Sequence, residues 1–315
     1  MNTKTKKILI TGGAGYIGSA LVSKLIELGN TVSVVDDLST GKKSNVPSRA
    51  TLHVLDINSP EFDNVLKADA PDVIVHMAAS KSVNESITNP EKFERINIAG
   101  SKNVIDLAMK NNIRKLIFTS TAGVYGDVAS HKAQKESDTP HPSSPYAVTK
   151  LDIEKYILEM NKKGLNGYIL RFANVYGPGG DADLKGAINI FIEHVVGGKT
   201  IEIHGDGTQT RDFVHIDDLI SMCMVLLADM TEAVSTSTPI YNVSTGTDIS
   251  INDLVSLIGE LSHMKIHKTY VPNTYIGQKS SLLSTTKSKQ ELGWYSKIAL
   301  RDGIQELLNA YRRTV

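Results

Sequence analysis

The sequence of 315 residues predicts an α/β protein with a doubly wound parallel sheet and a smaller C-terminal α/β lobe. Three observations support this prediction. Short apolar runs alternate with helical periodicity through the first half of the chain, a glycine-rich turn follows the first apolar run, and the alternation ends after residue 176. Strand–helix–strand units of this kind form right-handed crossovers, so the strands are expected to run parallel.

The predicted elements follow from local patterns along the chain. Six short apolar runs are predicted to be buried strands: 6–11, 31–36, 50–56, 72–78, 115–120 and 167–173. Three periodic segments are predicted to be helices: 19–29, 91–111 and 146–164. After the loop-like run "GPGGDADLKG" we expect a helix at about 187–197, strands at 200–204 and 240–243, and helices near 251–262 and 301–311. These elements predict one domain of residues 1–177 and 213–247, and a second of residues 178–212 and 248–315.

Charge and composition narrow the class of protein. The 34 Lys and Arg residues balance the 34 Asp and Glu residues. A neutral field gives no long-range attraction to nucleic acid or an anionic membrane, which disfavours both partners. Cys223 is the only cysteine, so an internal disulfide and a four-cysteine zinc site are excluded. The apolar run near the N-terminus is only "ILI", which is too short for a signal peptide, and no apolar stretch reaches the roughly 20 residues of a membrane span. We therefore expect a soluble cytoplasmic protein.

The stretch "ILITGGAGYIGSALV" predicts a dinucleotide-binding loop. Its glycines lie between a predicted strand and a predicted helix: Gly12, Gly13, Gly15 and Gly18. Glycines let the backbone approach a pyrophosphate, and the helix N-terminus offers N–H groups to it. Asp36 ends the next strand, where it would accept a ribose 2′-hydroxyl and repel a 2′-phosphate, which favours NAD over NADP despite Lys42 and Lys43 nearby. A tight turn without a ligand is the alternative. Asp56, after the third strand, fits an adenine contact and a turn residue equally well.

The stretch "SPYAVTK" (144–150) predicts a proton-transfer pair. Tyr146 and Lys150 are four residues apart in a predicted helix and therefore share a face. Because an ammonium stabilises a neighbouring phenolate, we expect the pKa of Tyr146 to fall from about 10 toward neutrality. The spacing alone also fits a surface pair, and the preceding dinucleotide loop is what favours catalysis. The end of the preceding strand supplies candidate hydroxyls for a third partner: Thr119, Ser120 and Thr121.

Several stretches together carry a family resemblance: "TGGAGYIGS", "DDLSTG", "HMAASKSVNES", "NIAGSKNV", "TSTAGVYG", "YAVTK", "LRFANVYGPG", "GDGTQTRDFVHIDD" and "ELGW". Over essentially its whole length the chain resembles the extended short-chain dehydrogenase/reductase superfamily, with its Rossmann-type sheet, and within it nucleotide-sugar epimerases of the UDP-glucose 4-epimerase type. The resemblance implies that Tyr146 takes the proton of the sugar 4-hydroxyl while a hydride passes from C4 to NAD. The 4-keto sugar then turns, and the hydride returns to its other face.

The resemblance also implies site residues and an assembly. The implied catalytic residues are Thr121, Tyr146 and Lys150. The implied cofactor-binding residues are Gly12, Gly15, Tyr16, Ile17, Gly18, Asp36, Asp37, Asp56, Ile57, Ala78, Lys81, Asn97, Thr119, Tyr146, Lys150 and Phe172. The implied substrate-binding residues are Lys81, Thr121, Tyr146, Asn174, His204 and Arg211. The resemblance implies no metal. It does imply a homodimer formed through helices 91–111 and 146–164.

Residues next to the predicted catalytic hydroxyl separate epimerases from dehydratases. Sugar 4,6-dehydratases of the superfamily carry acidic residues directly after that hydroxyl, whereas Ala122 and Gly123 follow Thr121 here. The resemblance therefore favours epimerisation or ketoreduction over elimination. The alternatives are a nucleotide-sugar 4-ketoreductase or dehydrogenase that releases its cofactor, and a non-catalytic NAD sensor or scaffold on the same fold.

The predicted nucleotide site departs from the family in one stretch. An Arg-x-Gly-Asp-like motif usually precedes "ELGW", but here Tyr275 and Gln278 stand near those positions and no arginine occurs between Arg211 and Arg301. The identity of the nucleotide is therefore left open.

Three candidate residues keep a structural alternative. Arg211 fits a diphosphate contact and also an ion pair with a neighbouring aspartate. Phe172 fits a cofactor-lining position and also plain core, and His215 reads as a buried, hydrogen-bonded histidine.

Overall fold

The computed structural model describes residues 5–127, 132–179, 186–229, 239–272 and 278–312. The chain divides into two compact units. The first comprises Met1–Val124, Ser144–Arg171 and Leu226–Tyr241, and the second comprises Tyr125–Ser143, Phe172–Val225 and Asn242–Val315. No helix within the described ranges is both long and apolar enough to cross a membrane.

The strands and helices, in chain order, have these bounds. The strands are β1 (Lys7–Thr11), β2 (Thr31–Asp36), β3 (Thr51–Val54), β4 (Val73–His76), β5 (Lys115–Thr121), β6 (Asn166–Phe172), β7 (Asn174–Tyr176), β8 (Ile201–His204), β9 (Thr210–His215), β10 (Ile240–Val243), β11 (Asp248–Ser250) and β12 (Lys268–Val271). The α-helices are α1 (Tyr16–Glu27), α2 (Glu61–Asp69), α3 (Val83–Thr88), α4 (Pro90–Phe93), α5 (Ser101–Lys110), α6 (Pro145–Asn161), α7 (Ala187–Val196), α8 (Ile216–Asp229), α9 (Ile251–Ser262), α10 (Thr286–Leu292) and α11 (Leu300–Arg312). Short 3₁₀ segments lie at Lys43–Asn45 and Ala122–Tyr125.

A seven-stranded sheet dominates the first unit. Its order is β10–β6–β5–β4–β1–β2–β3, and the pairs β1–β2, β1–β4, β2–β3 and β4–β5 are parallel. The chain winds outward in both directions from β1, which lies between β4 and β2. In sheets of this kind ligands bind where the winding reverses, beyond the carboxyl ends of the strands. The predicted α/β class with a doubly wound parallel sheet is confirmed.

The central strands are buried on both faces, which explains their unbroken apolar runs. All four residues of β4 are buried, and so are the last four of β1. The core of this unit includes Phe62 and Phe118 at 0% exposure, and α6 adds the apolar stripe of Ile153 and Ile157. Each such side chain, when fully buried, contributes about 1.5–3 kcal/mol relative to an exposed one.

The second unit has smaller sheets and a helical core. One sheet has the order β11–β9–β7, and β12 pairs with β8 in parallel. Helices α7, α9 and α11 pack on one another around Ile192, Ile258 and Leu307. Cys223 on α8 is fully buried. This smaller α/β unit agrees with the predicted C-terminal lobe in class; the predicted domain boundaries remain a prediction about which segments serve cofactor and substrate.

The structure differs from the predicted elements in identifiable places. The predicted helix 91–111 is divided, because residues Glu94–Gly100 form a π-helical segment between α4 and α5. Such segments frequently mark functional positions. Strands β7 and β11 contain three residues each, too few for an alternating pattern. Helix α8 follows β9 directly and was not among the predicted helices.

Candidate active site

The loop between β1 and α1 is lined by backbone. Gly12 has a φ of +73°, and a Cβ there would lie 2.7 Å from the main-chain nitrogen of Ala78. A Cβ at Gly18 would lie 2.2 Å from the main-chain oxygen of Gly12. Neither position can accept a larger side chain unless the backbone moves. Helix α1 begins after Gly15 without a side-chain cap, so its N-terminal N–H groups and positive dipole end suit a phosphate.

Asp36 closes this loop from the end of β2. Its Oδ2 accepts the N–H of Ala14 at 2.9 Å, and its Oδ1 accepts the N–H of Leu38 at 2.9 Å. Burial raises the pKa of Asp36, against the lowering effect of these hydrogen bonds. Each oxygen keeps a second lone pair, so the carboxylate can still accept ribose hydroxyls. Tyr16 and Ile17, in the first turn of α1, are partly exposed.

The carboxylate of Asp56 already forms hydrogen bonds with other residues of this chain. Its Oδ1 accepts the N–H of Asn58 at 2.8 Å, and its Oδ2 lies 2.6 Å from Nη1 of Arg95. Burial acts to raise the pKa of Asp56, but the hydrogen bonds from Asn58 and Arg95 outweigh it and the pKa is lowered. These contacts favour the turn-residue alternative. The neighbouring candidates differ in exposure, since Ile57 is buried and Asp37 is exposed.

Asn97 ties the segment after β4 to helix α6. Its Oδ1 accepts the N–H of Ser80 at 2.8 Å, while its Nδ2 donates to the oxygen of Ser80 at 2.9 Å and to Oγ1 of Thr149 at 3.1 Å. Both amide hydrogens are therefore used within the protein. Asn97 positions this segment, which begins with Ala78 against the glycine loop and includes the exposed Lys81.

Tyr146 occupies the first turn of α6. The helix begins with Ser144 as N-cap, whose side chain accepts the N–H of Ala147 at 3.2 Å, and Pro145 is its first residue. This start fixes Tyr146 on the helix face that it shares with Lys150. The rings of Tyr146 and Phe93 are nearly perpendicular, in a T-shaped contact with the ring centroids 6.4 Å apart.

Lys150 is buried, at 4% exposure, between α6 and β5. Its Nζ donates to the main-chain oxygen of Thr119 at 2.9 Å and lies 4.7 Å from the ring centroid of Phe118. Burial lowers the pKa of Lys150 to about 7, while the nearby carboxylate of Glu154 acts to raise it. The amine therefore titrates close to neutral pH in the protein by itself.

Thr121 and Tyr146 are brought together as predicted, but the expected pKa shift of the phenol is wrong for the chain alone. Burial raises the pKa of Tyr146 to about 12, and a hydrogen bond from the side chain of Thr121 acts in the opposite direction. Tyr146 keeps part of its surface exposed, so crowded surroundings rather than complete enclosure disfavour the phenolate. The cationic form of Lys150, which was expected to lower the phenol pKa, is itself disfavoured by burial.

His76 is a site-adjacent residue that sequence reasoning missed. It is fully buried at the end of β4, with Nδ1 2.6 Å from Oγ1 of Thr11 and Nε2 2.8 Å from Oγ of Ser101. Burial lowers the pKa of His76 to about 3, and Lys150 adds to this effect. The ring is therefore neutral and links β1, β4 and α5 behind the glycine loop. A polar residue in the otherwise apolar run "DVIVHMA" was the available signal.

A buried ion pair, also missed, lies beside the predicted catalytic residues. Glu154 on α6 accepts from Nη2 of Arg171 on β6 at 2.6 Å and from Oγ of Ser120 on β5 at 2.5 Å. The side chains of Glu154 and Arg171 are 2% and 3% exposed. Glu154 follows Lys150 by four residues, a spacing that could have signalled a shared helix face.

Arg211, on β9 in the second unit, is partly buried. Its Nη1 donates to the main-chain oxygen of Thr210 at 2.7 Å. The next residue, Asp212, is fully buried, and its carboxylate accepts the N–H of Thr245 at 2.9 Å and that of Gly246 at 3.0 Å. Burial raises the pKa of Asp212 to about 6, against these hydrogen bonds. Asp212 therefore joins the strand that carries Arg211 to the 245–246 turn.

The other predicted nucleotide residues lie elsewhere in this unit. His204 is exposed at the end of β8, and Nδ2 of Asn174 donates to the oxygen of Asp212 at 3.4 Å. Phe172 is 8% exposed, which fits a core position as well as a cofactor-lining one. Nε2 of Gln278 donates to the oxygen of Gly126 at 2.5 Å. Tyr275, which stands near the position of the missing arginine, lies outside the described residues.

His215 is a packed structural residue, as its alternative interpretation predicted. It is fully buried, its ring meets that of Tyr176 edge-on at 5.2 Å between centroids, and its Nδ1 accepts the N–H of Asp217 at 3.3 Å.

In the part of the chain that the structure describes, no group of three or more His, Cys, Asp or Glu residues is placed to hold a metal ion.

Comparison with known proteins identifies relatives that match over nearly the whole chain. The NAD dependent epimerase/dehydratase family matches residues 8–244. A UDP-glucose 4-epimerase of Mycolicibacterium smegmatis is 31% identical over 314 residues, which cover 97% of this chain and 98% of the relative. The crystal structure of UDP-glucose 4-epimerase from Thermotoga maritima with UDP-glucose has a TM-score of 0.92 and 34% identity, covering 98% of this chain and 99% of that one. The UDP-glucose 4-epimerase of Thermus thermophilus, in complex with NAD, has a TM-score of 0.89 and 29% identity, covering 98% and 100%.

Proposed function

The chain belongs to the NAD-dependent epimerase/dehydratase family, and we propose that it epimerises a nucleotide-diphosphate sugar at C4 with NAD as cofactor, a UDP-hexose being its substrate. One observation carries this function: Thr121 contacts Tyr146, and Lys150 contacts Thr119, in the unit whose first loop is lined by glycine backbone. The predicted enzyme class and cofactor are confirmed by the relatives.

The residues of the first unit fit a dinucleotide. The clashes that a Cβ would make at Gly12 and Gly18 reserve that space for backbone, and α1 presents its uncapped N-terminus to the same loop. Asp36 would accept ribose hydroxyls, and Lys150 would hold the second ribose. When bound, NAD supplies a positive ring that reversibly accepts a hydride from the sugar C4.

Tyr146 would move the proton that accompanies this hydride. Its oxygen would accept the proton of the 4-hydroxyl, and it would return that proton to the same sugar oxygen once the hydride has added to the other face of C4. The Thr121 hydroxyl would hold the sugar oxygen meanwhile. A phenol with a pKa near 12 is a poor source of phenolate at neutral pH. The proposed reaction therefore needs positive charge near Tyr146, and the chain's own contribution is the ammonium form of Lys150.

The surroundings of Thr121 support epimerisation over elimination. The next residue, Ala122, is buried, and a Cβ added to Gly123 would lie 3.4 Å from both Oγ1 of Thr121 and Cβ of Ala147. Neither of these positions offers an acid to protonate a leaving hydroxyl. The 4-keto sugar would therefore be reduced again instead of losing water.

The nucleotide would be held by residues of the second unit. Arg211 is the residue we assign to the diphosphate, since a guanidinium pairs with phosphate oxygens through two parallel hydrogen bonds. Asn174 would contact the phosphate region, and the exposed His204 would stack on the base. The roles of Asn174 and Arg211 rest on the match of "ANVYG" and "QTRDF" to the family, and that of His204 on its place just before "GDGTQTRDF".

One incubation series tests this function. Purified protein is given UDP-, dTDP-, GDP-, CDP- and ADP-hexoses, and the products are separated by chromatography. We expect interconversion of UDP-glucose and UDP-galactose without added NADH, and NAD released when the protein is denatured. A requirement for stoichiometric NADH would identify a ketoreductase, and bound NAD without turnover of any sugar would identify a sensor.

We also propose that the protein is a cytoplasmic homodimer. The candidate interface helices show which side chains are available for it: Ile153, Ile157 and Val104 are fully buried in the core of the first unit, so they serve the subunit itself. Val148 on α6 is 41% exposed, and Leu107 on α5 is only partly buried. Light scattering at micromolar concentration tests the dimer, and a monomer would contradict it.

A further inference from the structure

Three consecutive residues at the end of β5 each contact a residue of α6. The pairs are Thr119 with Lys150, Ser120 with Glu154, and Thr121 with Tyr146. The outer two pairs contain the residues proposed above to act on the sugar and the cofactor. The middle pair takes no part in that chemistry, and it forms a contact of only 2.5 Å from Ser120 Oγ to Glu154 Oε1.

Glu154 is held rigidly from its other side. Arg171 donates through Nε to both carboxylate oxygens, at 3.1 and 3.2 Å, and through Nη2 to Oε2 at 2.6 Å. Arg171 lies on β6, which neighbours β5 in the sheet. The carboxylate is thus fixed by a two-pronged guanidinium and in turn fixes the hydroxyl of Ser120. Arg171 on β6 therefore fixes Glu154 on α6, and Glu154 fixes Ser120 at the end of β5, between the two pairs that contain the proposed catalytic residues.

Stability alone does not account for this arrangement. Replacing a buried ion pair by well-packed apolar side chains is often neutral or stabilising, because desolvation of both charges offsets their attraction. An apolar contact would hold β5 against α6 equally well, but it would not orient a hydroxyl. We propose that Glu154 is a positioning residue for the proposed epimerase reaction: through Ser120 it holds the end of β5 in register with Lys150 and Tyr146. The inference rests on the proposed function.

The charge of Glu154 has a second effect at the same place. Among the described residues, Lys150 interacts electrostatically with Glu154 on α6, which acts to raise its pKa, and with His76 on β4, whose own pKa it lowers. Tyr146 shares its helix face, and Glu154 is itself paired to Arg171 on β6. His76 is neutral, so Glu154 is the group that favours the ammonium form of Lys150 against burial. Removing its charge should shift the loss of activity at alkaline pH toward lower pH.

The first test removes the tether and leaves the ion pair. In Ser120→Ala we expect kcat for UDP-galactose to fall roughly 10- to 100-fold, the scale of misplacing a reacting group by about 1 Å. KM, retained NAD and melting temperature should stay as in the parent. Ser262→Ala is the control, because Ser262 is likewise a buried serine but lies on α9 in the second unit, so its loss should leave kcat unchanged.

The second test removes the charge. Glu154→Gln should move the alkaline limb of the kcat profile to lower pH by about half a unit or more. Glu159→Gln, on the exposed side of the same helix, should leave the profile in place. If Glu154→Gln does not fold, Ser120→Ala decides alone.

The outcomes separate this inference from the proposed function. Absence of epimerisation by the parent protein would sink the function itself. With an active parent, a kcat of Ser120→Ala within twofold of the parent would overturn the positioning role. A fall in kcat that is matched by loss of NAD and of melting temperature would also overturn it, because the contact would then be merely structural.

Discussion

Asp36 and Ala14 are joined by a hydrogen bond of 2.9 Å from the main-chain N–H to the carboxylate, so the residue proposed to face the ribose also holds the glycine loop. Asp36→Ala should therefore weaken NAD binding, because it removes both the proposed ribose contact and the hydrogen bond that holds the glycine loop. Losing a hydrogen bond to a charged group costs about 1.5–3 kcal/mol, which is roughly 10- to 100-fold in the dissociation constant. The preference for NAD over NADP should also narrow, because the repulsion of a 2′-phosphate is removed. Calorimetric titration of cofactor-free protein with both nucleotides measures each effect.

Glu27→Ala is the matched control, since Glu27 is an exposed carboxylate at the end of α1 that pairs with Lys24 and is not among the predicted cofactor-binding residues. Its NAD affinity should stay within about twofold of the parent. An unchanged NAD/NADP preference in Asp36→Ala would mean that Asp36 does not contact the ribose.

Tyr146→Phe should abolish proton transfer and preserve the fold. We expect turnover to fall about 100-fold or more, the usual scale for a lost general acid/base, with NAD still bound after purification. Tyr156→Phe is the control on the same helix, because its hydroxyl donates to Asp106 away from the reacting pair. Turnover of Tyr146→Phe within threefold of the parent would remove this phenol from the mechanism.

The buried amine of Lys150 should make the stability of the cofactor-free protein depend on pH. Its folded pKa of about 7 lies below the ordinary value of 10.5, so between these values the unfolded chain binds one more proton than the folded chain. The free energy of unfolding should therefore rise with pH in this window, by up to about 1.4 kcal/mol for each pH unit. Denaturant titrations at pH 7, 8 and 9 measure it.

The comparison that isolates this contribution is Lys150→Met. In that variant the rise between pH 7 and 9 should be smaller than in the parent. Lys163→Met, which removes an exposed ion pair with Glu159 just after the same helix, should keep the rise. Equal slopes in parent and Lys150→Met would show that the amine keeps its ordinary pKa in the fold.

Arg211→Ala should nearly abolish sugar-nucleotide binding. The sequence has no further arginine until Arg301, so the loss of a charge-assisted contact, about 1.5–3 kcal/mol, would not be cushioned by a second guanidinium in that stretch. Titration calorimetry with UDP reads the result. Arg301→Ala, which breaks an exposed ion pair with Glu260, is the control and should bind UDP like the parent. If Arg211→Ala binds UDP as the parent does, the phosphate site lies elsewhere.

The features of this protein that could be predicted are those that depend on short spacings along the sequence. The glycine loop, the i and i+4 pair of Tyr146 and Lys150, and the strand-end hydroxyl of Thr121 each follow from short patterns with a known geometry. The contacts of Glu154 were not predictable, because its partners Ser120 and Arg171 come from two different strands and only the tertiary fold joins them. The direction of the Tyr146 pKa shift was predicted wrongly, since charge neighbours can be guessed from spacing but burial cannot.

Cys223 gives the protein a built-in reporter. Burial raises the pKa of this single thiol to about 12, and none of its surface is exposed. Because the thiolate is the form that reacts with thiol reagents, the folded protein should be inert to them. Cys223 should be labelled only when local unfolding around α8 exposes it. The rate of labelling then measures local unfolding around Cys223 in the second unit, without any engineered probe. For the same reason, a cysteine introduced on the surface would be the single fast-reacting position for attaching a dye.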